Sequence, residues 1–546
     1  MTLQETYKKY KENEEDIKQI LQMLKDYIEE NKEEVAATLQ SVASGELEMP
    51  ETITPKEEEY FRALCGWIVH FGLTQFLEAL QSVQPDPETL SVENLPDKFL
   101  RQRGFAVNYP GDRALLRQAI LLTSYIYYDE FHYPQPETGI YDIAGNPFQK
   151  LKWLYRYWFN QLEVAEQGSK LENFFASQVL DFVCNEPLDY AIPSVSVSCA
   201  GDLLAVDVLT PENTKHLFDD IKDFYSTADI VSANLESTVD MSQPIGRTQA
   251  SGQPARMNTS QMMFDKFRHE AGINYFSTAT NHAMDWGEQG VRATLDVLKK
   301  SGAYYSGTAA SQAEQDDVVV IEKNGIKVAM LAYTFDLNGY NTPADMPYLV
   351  NVVRFNDADP APDYSLIERQ VATAKAKGAD WIIAYCHWGW EFEMYPHVNI
   401  REAAHKVIDC GVDTILGNHA HVSQPAEAIP REGQQDALVV YAFGDFVSFH
   451  PESRNSKLAY SIKFDINKNS AGETGNFLDN LQALPIYIVN QELSHNRYDC
   501  RIVKFEDVLK DPDGYGLTEL EKSQLPHLEE KVWKEILSPL SKVGTR

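Results

Sequence analysis

Ile17, Ile20, Leu21, Leu24 and Ile28 recur at spacings of three and four among Glu and Lys residues, the pattern of an amphipathic helix with one solvated face. Further runs of helical period cover 61–80, 112–128 and 150–183, broken by Pro85, Pro87, Pro134, Pro136 and Pro147. Residues 1–190 therefore read as a helical domain. Its aromatic residues Tyr125, Tyr127, Tyr128, Phe131 and Tyr133, then Trp153, Tyr155, Tyr157, Trp158 and Phe159, could line a peptide or sugar groove. Their helical spacing favours a helix–helix core instead.

After Pro193 the period shortens. β-Branched runs at 194–200, 229–233 and 274–278 precede an amphipathic helix at 288–300, an α/β texture. The runs 318–322 and 327–333 flank Asn324-Gly325, a dipeptide that favours a hairpin, so the sheet is mixed and not wholly parallel. Strands are predicted again at 381–386, 414–416 and 438–443, with helices at 364–376 and 400–410 between them. The fold class is α/β, an α+β sandwich of mixed sheet layered by helices. The domains expected are 1–190, helical; 191–500, the sandwich; and 501–546, a charged helical tail.

Charge narrows the functions. The 546 residues hold 48 Lys+Arg against 81 Asp+Glu, a net charge of −33, which opposes binding to nucleic acid polymers or anionic lipid. An anionic substrate needs a local positive centre. The hydrophobic content of 43% excludes disorder throughout. Without an apolar leader at Met1-Thr2-Leu3-Gln4 or a long uncharged apolar stretch, a protein with no membrane span is expected, cytoplasmic in location. Cys65, Cys184, Cys199, Cys386, Cys410 and Cys500 form no C-x-x-C pair, which suits free buried thiols in a reducing compartment.

Metal-binding residue types gather at the carboxyl ends of the predicted strands, where open α/β sheets place their ligands. They are Gly201-Asp202, Asn234-Leu235-Glu236, Thr280-Asn281-His282-Ala283-Met284-Asp285, His387-Trp388-Gly389 and Gly417-Asn418-His419-Ala420-His421. Singly, each has a bland explanation. Asp202 could cap a helix, Asn234 and Glu236 could be turn residues, Asn281 and His282 could form an Asx-turn, and His387 could be a satisfied core histidine. His419 and His421, two apart at a strand end, are expected to point to one side, which suits shared or adjacent metal ions. Alternation turns Cys386 to the opposite face from His387, so its thiol is not a candidate ligand.

In order, these stretches, with Glu391 and Tyr441-Ala442-Phe443-Gly444-Asp445-Phe446, resemble the CapA family of poly-γ-glutamate capsule biosynthesis proteins, a branch of the calcineurin-like metallophosphatase superfamily. The resemblance covers about 194–450. It implies a two-layer sandwich of mixed sheets flanked by helices, with two divalent metals between strand-end loops. By position, Asp202, Glu236, Asn281, His387, His419 and His421 would be ligands, Glu236 bridging. His282, with Asp285 three residues on, matches the histidine that protonates a leaving group in the superfamily. Asn234, Trp388 and Glu391, with Trp286 and Trp390 nearby, would shape the substrate pocket, though tryptophans in such loops are as often a packing lid. The superfamily's Asp-x-His opening is here Asp202-Leu203-Leu204, so one histidine ligand is absent.

Oxygen and imidazole ligands without thiolate favour Mn, Fe, Zn or Mg. Three functions follow. One is a metal-dependent hydrolase of a phosphoester or an anionic, peptide-like substrate, with His282 as general acid. The second is a proton-transfer enzyme of epimerase type, in which His282, His421 or Glu236 exchanges a proton at a peptide α-carbon. The third is a non-catalytic protein that binds a polymer or partner proteins.

Overall fold

Helices fill the N-terminal part of the computed structural model, which describes residues 14–50, 52–53, 55–71, 114–135, 146–182, 192–249, 253–357, 360–469 and 475–543. Residues 72–80 and 112–113 of the predicted helices, Val183, Pro85, Pro87, Pro136 and Cys184 lie outside them. The chain divides into two compact units, one of Met1–Tyr133, Asp142–Asn160 and Ser251–Gln253, the other of Pro134–Tyr141, Gln161–Ala250 and Pro254–Arg546.

The first unit contains the helices Glu14–Glu30, Lys32–Ser44, Pro55–Phe71, Ala114–Ile126, Tyr128–His132 and Pro147–Trp158. Local chemistry sets their ends. Asn146 caps the last, its side chain accepting from the amides of Phe148 and Gln149, with Pro147 in the first turn where no amide is needed. Leu24, Ile28, Val35, Leu39 and Val42 pack with Phe61, Tyr125, Phe131, Tyr155, Trp158 and Phe159. Phe131 meets Tyr155 edge-on at 5.5 Å. Most of the aromatic cluster is therefore helix–helix core, as its spacing predicts.

The strands of the second unit are β1 (Ser194–Leu203), β2 (Ile230–Leu235), β3 (Gly246–Thr248), β4 (Arg256–Asn258), β5 (Tyr275–Ser277), β6 (Tyr304–Ser306), β7 (Val319–Lys323), β8 (Ile326–Thr334), β9 (Trp381–His387), β10 (Thr414–Asn418), β11 (Ala426–Ile429), β12 (Ala437–Val440), β13 (Asp445–Val447), β14 (Leu458–Asn467), β15 (Phe477–Ser494) and β16 (Arg497–Lys504). One sheet has the order β16-β15-β14-β1-β2-β5-β6, with β13 also paired to β1; a second runs β11-β12-β10-β9-β8-β7, and β3 and β4 form a two-stranded third. In the first, β1, β2, β5 and β6 are parallel and β14 to β16 antiparallel. In the second, β8, β9, β10 and β12 are parallel, with antiparallel edges at β7 and β11.

This is a mixed-sheet α/β sandwich, as predicted. β7 and β8 form the expected hairpin, with Asn324 (φ 52°) and Gly325 (φ 79°) in the left-handed backbone such a turn needs. The sheets meet through Ser232 Oγ on β2 and the Tyr385 hydroxyl on β9, 2.7 Å apart. Helix Gln261–His269 adds Met263, Phe264 and Phe267 to the core that covers β1 and β2.

β14 to β16 extend the first sheet beyond the predicted strands. Pro485 sits inside β15, opposite Tyr460, and a proline there argues against a strand when only the sequence is read. β16 runs through position 500, and the helices expected of the tail begin after it, at Phe505–Lys510. Among the described residues no helix is long and apolar enough to cross a membrane.

Candidate metal centre

Strand register brings the singled-out residues together. Asp202 near the end of β1 lies opposite Asn234 on β2 and opposite Asp445 on β13. His387 at the end of β9 lies opposite Asn418 at the end of β10. Two glycines permit this approach. A Cβ on Gly201 would stand 1.9 Å from the Gly444 carbonyl oxygen, and one on Gly417 1.9 Å from that of Tyr441.

Asn234 ties the first residues. Its amide nitrogen is 2.7 Å from Asp202 Oδ1, to which it donates, and 3.1 Å from His387 Nδ1. His387 Nε2 then lies 2.9 Å from Asn281 Oδ1 and 3.5 Å from Glu236 Oε1. Asn281 is oriented by its own amide, which donates to Asn338 Oδ1 at 3.2 Å. Asp202 Oδ2 accepts the backbone N–H of His419 at 3.2 Å.

His419 and His421 reach the cluster by a route that differs from the expected one. β10 ends at Asn418, and both histidines follow in left-handed backbone, at φ 95° and 52°. Strand alternation therefore does not set their directions. The turn splits them, with ring centroids 6.3 Å apart. His419 approaches His387, 4.8 Å between centroids, while His421 Nε2 lies 3.6 Å from Glu236 Oε1. Such backbone is costly for a non-glycine residue and persists where surrounding structure enforces it.

Ligand atoms converge as two groups that share Glu236. One is Glu236, His387 and His419; the other is Asp202, Glu236 and His421; within each, one atom per residue lies within 4.8 Å of the others. Both oxygens of Glu236 and both ring nitrogens of His419 are buried without a hydrogen-bond partner. Buried polar atoms are normally paired, and a buried lone carboxylate costs several kcal/mol. Lone pairs left over on a carboxylate and an imidazole are what a divalent cation requires, so these residues fit one.

The electrostatics agree. Burial pushes Glu236 well above the usual carboxylate range; His421 opposes this, while Asp202, Asp445 and Glu391 add to it. Burial raises Asp202 too, to about 7, against His421 and with Asp445. Burial and neighbouring histidines hold His387 and His419 well below the usual imidazole range, in the neutral state that coordinates metals. Burial would lower His421 as well, but Glu236 and Asp445 raise it. Its Nδ1 donates to Asp445 Oδ1 at 2.8 Å, while its charge partly offsets that of Glu236.

His282 stands beside this cluster, its Nδ1 donating to Asp285 Oδ2 at 2.8 Å. Burial raises the Asp285 carboxyl despite the opposing charge of His282. Trp388 is not brought to the cluster; its indole N–H donates to the Tyr441 carbonyl at 2.9 Å and its ring stacks on Tyr441. Trp390 stacks on His397. Glu391 acts on Glu236 and His421 through its charge. Cys386 is a buried free thiol, and burial holds it protonated.

Asp445, part of the 441–446 stretch but given no role there, and His450 complete the surroundings of His421. Asp445 accepts from His421 at one oxygen and from His450 Nδ1 at the other, also at 2.8 Å. The Gly444-Asp445 dipeptide, which repeats Gly201-Asp202, was a usable signal for the first. His450 had none.

The family described as "Bacterial capsule synthesis protein PGA_cap" matches residues 182–450. The PGA biosynthesis protein CapA of Bacillus subtilis (strain 168) is 26% identical over 294 residues, 52% of this chain and 70% of that protein. The capsule biosynthesis protein CapA of Bacillus anthracis is 23% identical over 259 residues, 46% of this chain and 59% of that protein. A hypothetical protein from Thermus thermophilus superposes at a TM-score of 0.31 with 15% identity, over 53% of this chain and 99% of its own, too loosely to argue from.

Proposed function

Because residues 182–450 belong to the CapA family of capsule synthesis proteins, within the metallophosphatase-like superfamily, we propose that this protein is a metal-dependent hydrolase acting in poly-γ-glutamate capsule biosynthesis. Its substrate on this reading is a phosphoester or an anionic, peptide-like chain. The observation that carries it is the buried Glu236 carboxylate, which lies between His387 and His421 with neither oxygen hydrogen-bonded.

Glu236, Asn281, His387 and His419 would hold one divalent cation, and Asp202, Glu236 and His421 a second. Such a pair, when bound, supplies Lewis acidity and neutralises charge on an anionic substrate. The chain's own residues do the rest. Asn234 fixes the spacing of Asp202 and His387. Asp285 holds the proton on Nδ1 of His282, which makes Nε2 the nitrogen that exchanges a proton with a leaving group.

Hydrolysis of a chromogenic phosphodiester, dependent on added Mn²⁺ and abolished by His419→Ala, is the supporting result. Solvent deuterium entering a γ-glutamyl peptide without cleavage would replace this reading with the proton-transfer one.

A further inference from the structure

Arg256 opens β4 beside the His282–Asp285 pair: the backbone N–H of the next residue, Met257, donates to Asp285 Oδ2 at 2.6 Å. The Arg256 guanidinium carbon lies 5.1 Å from the Trp286 ring centroid and 5.8 Å from that of Tyr340. Its Nε donates to the Tyr340 hydroxyl at 3.2 Å. Trp286 follows Asp285 directly, and Tyr340 stands two residues after Asn338, the partner of Asn281. The aromatic clasp on Arg256 is thus built from the loops that position the cluster.

The charge of Arg256 acts on the buried Asp285 carboxyl only through space, without an ion-pair contact. In a chain of net charge −33, Arg247, Arg292, Arg354, Arg401 and Arg454 each pair with a carboxylate. Among the described residues Arg256 makes no ion pair, and its terminal nitrogens make no hydrogen bond. Aromatic rings grip a guanidinium by its faces and leave its N–H edges open, and those edges match two oxygens of a carboxylate or phosphate.

We propose that Arg256, clasped by Trp286 and Tyr340, is the anchor for an anionic group of the substrate, binding a carboxylate or phosphate through its guanidinium fork next to His282. This rests on the hydrolase reading for its substrate but not for its binding test. Through that fork Arg256 selects oxyanion-bearing substrates over neutral ones.

The experiment is calorimetric titration of the metal-loaded wild type, Arg256→Gln and Arg256→Lys with a γ-linked glutamate decamer and, separately, with inorganic phosphate. Metal content and thermal midpoint are measured on each protein to establish that all three are folded and loaded. Arg256→Gln is expected to weaken the ligand by about 10- to 100-fold, the range of a charge-assisted hydrogen-bond pair. Arg256→Lys, which keeps the charge without the fork, recovers part of it. Loss confined to the decamer assigns a carboxylate, and loss confined to phosphate assigns a phosphate. Equal affinities across the three proteins, or no binding of either ligand to wild type, overturn the anchor even if hydrolysis persists. Arg256-dependent binding without any hydrolysis overturns the hydrolase reading and keeps the anchor.

Discussion

Asp445 accepts the Nδ1 proton of His421 at 2.8 Å, and that bond decides which nitrogen of His421 faces Glu236. A carboxylate behind a ligating histidine fixes its tautomer and ring orientation, and losing it commonly costs roughly 10- to 100-fold in metal affinity. Asp445→Asn is therefore expected to weaken Mn²⁺ binding by about that factor while the protein stays folded. Titration of metal into the stripped variant reads this directly; an affinity equal to wild type would remove Asp445 from the centre.

His282 and Asp285 are expected to act on the proton and not on the metal. His282→Asn should lower turnover by about 10²- to 10⁴-fold, the usual worth of a general acid, with metal content unchanged. Asp285→Asn should lower it as well, through the lost Nδ1 contact. Steady-state rates alongside elemental analysis test the pair, and a variant that loses metal in proportion to rate contradicts the assignment.

Gly201 carries a packing requirement. A Cβ there would meet the Gly444 carbonyl oxygen at 1.9 Å, so Gly201→Ala must push β1 away from β13 and separate Asp202 from Asp445. A loss of at least about 3 kcal/mol is expected, at the upper end of overpacking costs. Urea denaturation measures it, and a stability within about 0.5 kcal/mol of wild type, the range of neutral surface changes, would show that the strands yield freely.

Glu163 gives the second unit an acid-sensitive contact that uses none of the proposed metal ligands. Burial alone would raise its carboxyl, but His527, Arg454 and Asn455 hold it at about 2 against an ordinary value of 4.5. Arg454 lies at 2.6 Å and His527 at 2.8 Å. A carboxylate depressed in the folded state stabilises it above its unfolded pKa, and this contribution is lost as pH falls from about 4.5 toward 2. Glu163→Gln should cost about 2 kcal/mol at pH 7 and flatten the stability profile across that window. Thermal midpoints from pH 7 to 3 provide the check; parallel profiles for the two proteins would contradict it.

Much of this was legible from short local patterns. The Asn324-Gly325 hairpin, β1, β2, β9 and β10 follow from β-branched runs bounded by turn residues, and Asp202, Asn281 and His387 from polar residues at the ends of those runs. What was not legible depends on long-range pairing. β13 places Asp445 against Asp202 across more than two hundred residues of chain, and no periodicity announces a three-residue strand. His419 and His421 were found for a reason the backbone overturns, since positive φ, not alternation, aims them. β15 hides behind Pro485.

Glu236 is expected to unite two cation positions, one completed by His419 and one by His421. Elemental analysis of protein purified without added metal, repeated after titration with Mn²⁺ or Zn²⁺, measures this. Wild type should bind about two equivalents, and His419→Ala and His421→Ala should each lose about one, with both variants still folded. A wild-type protein that binds no divalent ion, or variants that bind as many as it does, would contradict this.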